Sequence, residues 1–172
     1  ALSLVVPPVV ALALLMPLLL VMDAITVRGF WRLWQRNSAI ALIAGGVPGA
    51  LLGMALLSWA SDDALRLLIA AVALTSVAWR LAGDTGLIRV AAAPFRWGTG
   101  LAAGVGSGFM SFTTHAGGPI LAAFMLAQRV DKTTYQATAA IAFGIINVVK
   151  AAGYGALGLF TTTTLVIDLW LA

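Results

Sequence analysis

The chain has 172 residues, 62% hydrophobic and 9% charged, with a mean hydropathy of +1.03. Soluble domains carry about 25% charged residues, so the composition excludes a soluble fold and predicts an all-α, polytopic transmembrane helical bundle. The lack of cysteine excludes disulfides, thiolate metal sites and cysteine nucleophiles, and the net charge of +4 sits between apolar runs, where it reports topology rather than nucleic-acid binding.

In chain order, a first span is expected over residues 2–22, closed by Asp23 as local charge balance beside a basic loop with Arg28, Arg32 and Arg36. A second span covers 39–59 and is followed by Asp62 and Asp63. A third covers 64–81 and leads to a basic loop with Arg80, Arg89 and Arg96 against Asp84. A hairpin over 95–128 precedes a third basic loop, with Arg129 and Lys132 around Asp131. A further span covers 134–152, and an incomplete one, with an interfacial Asp168, begins near Thr163. No alternation of the kind that marks a transmembrane β-barrel occurs.

The positive-inside rule places the three basic loops in the cytoplasm, in the cell membrane, and the parity of the spans agrees. Trp31, Trp34, Trp59, Trp79 and Trp97 fall near span ends, as interfacial anchors do.

The hairpin has about 34 residues, too few for two full spans and a turn, which need over ~40. Its second limb would rise about 15 Å, half of the ~30 Å hydrocarbon core. Pro119 suits the first turn of a helix, and Gly117 and Gly118 before it admit close approach and unusual backbone angles. A helix that begins in mid-membrane presents free N–H groups and a partial positive charge, which by geometry suits an anion. Ser107, Ser111, Thr113, Thr114 and His115 add donors beside it. The plainer alternative is a Gly/Pro kink whose hydroxyls bond their own backbone.

Gly45, Gly49 and Gly53, and likewise Gly100, Gly104 and Gly108, recur at a spacing that lets two helix backbones pack closely. Asn147 shares a small-residue face with Ala140, Gly144 and Ala151, so it is either glue between helices or a substrate contact. Lys150 lies one turn further, where it either snorkels to the outer surface or serves function, as intramembrane charges often do. His115 is either a structural histidine or a ligand and proton-handling group.

The stretches 16–23 and 143–150 match loosely and run in opposite directions, as an inverted repeat requires. One transmembrane domain over 1–172 is expected, with 1–94 ending a first repeat and 95–172 starting a second, incomplete at both ends.

Several motifs together resemble a known family. Gly104-Val105-Gly106-Ser107-Gly108-Phe109-Met110-Ser111, Gly117-Gly118-Pro119, Arg129-Val130-Asp131-Lys132 and Gly158-Leu159 occur in the order of the second half of the TauE/SafE sulfite and sulfonate exporters, also called anion permeases. Val47-Pro48-Gly49-Ala50-Leu51-Leu52-Gly53 and Asp62-Asp63-Ala64-Leu65-Arg66 resemble their first half. Thr114-His115-Ala116 departs from the Gly-Ile-Gly that often precedes Gly-Pro there. The resemblance implies a transporter of sulfite or a small organosulfur anion, working by alternating access, and not an enzyme. The expected substrate-binding residues are Ser107, Ser111, Thr114, His115, Gly117, Gly118, Pro119, Asn147 and Lys150, with no catalytic residue, metal or cofactor. Expected partners are a small anionic solute and the lipid bilayer, with a homo-oligomer open and no nucleic acid. The rivals are a metal-ion or other small-solute transporter, poor in ligands with one His and no Cys; an intramembrane hydrolase on Ser107 and His115, which lacks an orienting carboxylate; and a structural subunit.

Overall fold

The computed structural model describes residues 14–87 and 91–158, and among them finds six α-helices and no strand. They are α1 (Met16–Gly29), α2 (Arg36–Leu57), α3 (Asp62–Asp84), α4 (Trp97–Thr114), α5 (Gly118–Ala127) and α6 (Lys132–Ala156). Three of these, α2, α6 and residues 62–83 of α3, are long and apolar enough to cross a membrane. The expected start of the first span and the incomplete last span with Asp168 lie outside the described residues.

Local chemistry sets the helix ends. Pro17 opens α1, where a missing N–H costs nothing. Ser61 caps α3 through its hydroxyl, which accepts from the Ala64 amide at 3.3 Å, and Asp62 and Asp63 complement the positive end of the dipole. Asp131 caps α6: its Oδ1 accepts from the Thr133 and Thr134 amides, each at 3.0 Å. The side chain of Thr134, then its amide, hold the Asp131 carboxyl below its usual value of 3.8.

The tightest seam joins α2 to α4. A Cβ at Gly104 would stand 2.6 Å from the Leu42 carbonyl oxygen, and one at Gly108 would fall on the Gly46 carbonyl. The backbones therefore touch directly, as small-residue spacing allows in lipid. α6 packs on α2 and also on α1. One apolar cluster joins Met16, Ala50, Leu57, Leu65, Phe112, Ile146 and Tyr154, and a second joins Leu42, Leu121, Met125 and Ala142. α3 is attached loosely. It buries Leu65 and Val72, presents Leu67, Leu74 and Val77 outward, and leaves an apolar gap of about 510 Å³ against α4 and α5.

The basic loops meet at one end of the bundle. The Gln35 amide donates to Thr138 Oγ1 at 2.9 Å, and the buried Ser38 hydroxyl lies 3.0 Å from both Gln35 Oε1 and Gln128 Oε1. The Ala93 amide donates to the Ala127 carbonyl at 2.9 Å, so the segment after α3 is tied to the end of α5. Trp31, Trp59, Trp79 and Trp97 are exposed near helix ends.

One boundary departs from the sequence expectation. The first helix does not stop at Asp23 but runs on to Gly29, because the residues between, Ala24-Ile25-Thr26-Val27, continue the apolar run. Asp23 is thus an internal helical residue rather than a charge at a span end.

Candidate functional site

The chain between α4 and α5 is where the bundle stops being regular. α4 ends on His115, which takes the left-handed conformation with φ 55° and ψ 18°. Gly117 instead has an ordinary φ of −70°, so the unusual angle expected of the glycines belongs to the histidine. Histidine is among the residues more often found in that region. Gly117 is needed for space: an added Cβ would strike the Ser107 carbonyl and come within 3.0 Å of Ser111 Cβ and 3.2 Å of the Phe143 ring. Tyr154 secures the end of α4 by donating its hydroxyl to the Phe112 carbonyl at 2.6 Å, one of the last carbonyls that the helix leaves without a partner of its own.

After the break α5 is ten residues long, about 15 Å at 1.5 Å per residue, half of the hydrocarbon core. Pro119 stands in its first turn, and no side chain caps it. Its N-terminal amides and dipole are thus turned toward the break.

A cavity of about 250 Å³ opens beside that N-terminus. A water occupies about 30 Å³ in the liquid and drug-sized ligands fill pockets of roughly 300–1,000 Å³, so the space fits a small solute. α1 lines it with Leu19 and Asp23, α4 with Ser111 and the adjoining His115, the break with Gly117 and Gly118, and α6 with Phe143, Asn147 and Lys150.

The polar groups form two sets. Lys150, 0% exposed, donates from Nζ to Ser111 Oγ at 3.2 Å, and the same nitrogen stands 3.1 Å from His115 Nδ1. Across the cavity Asn147 Nδ2 donates to Asp23 Oδ2 at 2.6 Å, while the buried Asn147 Oδ1 has no partner among the described residues. Among the described residues Asp23 has no cation within 4 Å, and the one ion pair joins Arg66 to Asp63 on α3. Lys150 therefore does not snorkel. α6 continues to Ala156, so the residue sits inside the helix, and its amine turns inward to Ser111 and His115.

Of the nine residues expected to bind substrate, the structure brings six to this cavity: Ser111, His115, Gly117, Gly118, Asn147 and Lys150. Three lie elsewhere. Ser107 is buried one turn before Ser111, and its hydroxyl has no partner among the described residues. Thr114 gives its hydroxyl to the Met110 carbonyl at 2.8 Å, which turns it back onto its own helix. Pro119 faces the apolar gap toward Val72 and Trp79 of α3. Asp23 was missed. Its signal was an acid with apolar residues on both sides, Val21-Met22 before it and Ala24-Ile25 after it.

Chemically, the cavity offers a lysine amine, a hydroxyl, an imidazole and the free end of a helix, donors suited to an oxyanion, beside the paired Asp23 carboxylate and Asn147 amide. No curated protein and no solved structure matches the chain. A family model described as "Sulfite exporter TauE/SafE" matches residues 1–172. The broken helix thus stands in a membrane transporter, and the chain belongs to the TauE/SafE sulfite exporter family.

Proposed function

We propose that this protein carries sulfite or a small organosulfur anion outward across the cytoplasmic membrane, and that the anion pauses in the cavity at the start of α5. The observation that carries the reading is Lys150, a fully buried lysine whose Nζ shares the cavity wall with the uncapped N-terminus of α5. An isolated charge inside a membrane is expensive and tends to mark a solute path. Lysine has three donor hydrogens and no acceptor. Nζ stands 3.2 Å from Ser111 Oγ and 3.1 Å from His115 Nδ1, which leaves a donor for an anion beside the first amides of α5. The clustering of the basic loops at one end supports an orientation with that end in the cytoplasm. Asp23 and Asn147 stand on α1 and α6 and Ser111 and His115 on α4, so a solute between them can be passed from one side to the other by alternating access. The opposed stretches 16–23 and 143–150 face each other through the Asp23–Asn147 bond, which supports the inverted-repeat reading. The partners in this reading are the anion and the bilayer.

Flux of labelled sulfite and of methanesulfonate into proteoliposomes tests it. Lys150→Met keeps the length and apolar stem and removes the charge, so flux is expected to fall by at least tenfold while the protein remains folded in detergent. Undiminished flux in that variant overturns the site. Transport of a divalent metal in place of either anion overturns the substrate class.

A further inference from the structure

Asp23 is the acid that lines the cavity, and an anion site has no evident use for it. From its position we infer that Asp23 is the proton-coupling group of this transporter: each anion that enters the cavity brings one proton onto the Asp23 carboxylate, and both leave together. The inference rests on the anion reading above.

Lys150 Nζ and His115 Nδ1 stand 3.1 Å apart, too close for two cations, so the pair carries a single positive charge, which the Asp23 carboxylate balances. The empty site is therefore neutral. A monoanion makes it −1, in a region where net charge is costly. It also sets two anionic groups side by side in a space of about 250 Å³, the arrangement in which one of two acids keeps its proton. A proton on Asp23 restores neutrality and turns a repelling acceptor into a donor toward the solute. The bond formed is O–H on Oδ1, since Oδ2 is held by the Asn147 amide at 2.6 Å. The proton comes from the aqueous side that supplies the anion and is returned to the aqueous side that receives it.

His115 is the poorer acceptor, because a proton on Nδ1 would place two cations 3.1 Å apart. The other ionisable groups around Asp23 do not compete. From α6 it is faced by Lys150. From α4 it is faced by His115, whose ring packs against Tyr154 at 6.4 Å, and the Tyr154 hydroxyl is committed to Phe112. α2 beyond Arg36 and the whole of α5 carry no ionisable side chain. On α3, Asp62, Asp63 and Arg66 are exposed at the first turn, and Arg80 and Asp84 belong to its last turns. On α1 itself the next is Arg28, in the last turn toward the basic loop.

Calorimetric titration with methanesulfonate and with sulfite, each in two buffers of different ionisation enthalpy, counts the protons taken up per anion. Wild type is expected to take up about one more proton than Asp23→Asn, a difference that cancels the ionisation of the solute itself. Asp23→Asn carries an NH₂ donor in place of the carboxyl and should bind methanesulfonate at a pH-independent affinity. His115→Gln should bind more weakly with the proton count intact. If Asp23→Asn does not fold, the wild-type affinity for methanesulfonate decides: it should fall about tenfold per pH unit above the midpoint. Equal counts in wild type and Asp23→Asn, a flat methanesulfonate profile, or a count erased by His115→Gln overturns the coupling and leaves the anion site standing. Failure of both anions to bind wild type removes the site and the coupling with it.

Discussion

Ser107 and Ser111 are one helical turn apart on α4, yet one faces a cavity and the other is sealed in protein. Ser111 accepts from Lys150, whereas Ser107 keeps a buried hydroxyl with no partner among the described residues. A buried polar group without a bond costs roughly 1–3 kcal/mol relative to a satisfied one. Ser107→Ala is therefore expected to be neutral or to raise stability by up to about 1 kcal/mol, a rise of about 2–4 °C in Tm for a chain of this size, with anion flux unchanged. Differential scanning fluorimetry and the flux assay on the same preparation check both halves. At this scale the sequence was half legible. Asn147 was expected to point into the bundle from the small-residue face of α6, whereas Lys150, one turn on, was left between the outer surface and a functional role. The sequence left Lys150 open because the end of an apolar, glycine-bearing helix leaves little mark in it. Asp23 was read as a terminus because its partner lies 124 residues away, and no local pattern announces such a bond.

Among the elements, α2 and α4 form the most constrained pair. Gly104→Leu would drive a branched side chain into the Leu42 carbonyl, already 2.6 Å from where a Cβ would start. Overpacking of this kind costs about 1–3 kcal/mol and occasionally more, so the variant should unfold at markedly lower temperature in detergent, with Gly104→Ala intermediate. The start of α6 depends instead on one carboxylate. The Asp131 cap is present in full above 3.8, the carboxyl's ordinary value, and its stabilisation is lost as pH falls through the lowered value of the folded state. Asp131→Ala should lower Tm near neutral pH, Asp131→Asn should keep most of it, and the gap between wild type and Asp131→Ala should close under strong acid, which a pH series of melting curves reads directly. Most elements were legible from hydropathy, and the break was legible from Gly117-Gly118-Pro119. Which residue would take the left-handed angle was not, since glycine is the usual occupant and the competing demand for space at Gly117 arises from α4 and α6 in three dimensions.

For the molecule as a whole, the sequence separated three basic loops along the chain and the structure draws them together through Gln35, Ser38, Ala93 and Gln128. With no native cysteine, single-cysteine labelling is clean. Arg129→Cys should react with a membrane-impermeant maleimide in inverted vesicles and not in intact spheroplasts, and Ser58→Cys, at the opposite end of α2, should do the reverse. The same pattern at both sites would overturn the orientation. The glycine seam also decides which parts of such a carrier are free to shift. Where main chain rests on main chain there are no rotamers to exchange, so α2 and α4 can travel only as a single chassis, and Ser111 and His115 travel with it. Asp23 and Asn147 ride on α1 and α6 and are held to each other by a bond of their own. The α6 wall of the cavity is moored to that chassis by Tyr154 on the Phe112 carbonyl and by Lys150 on Ser111, so any slide of α6 past α4 must first undo both ties.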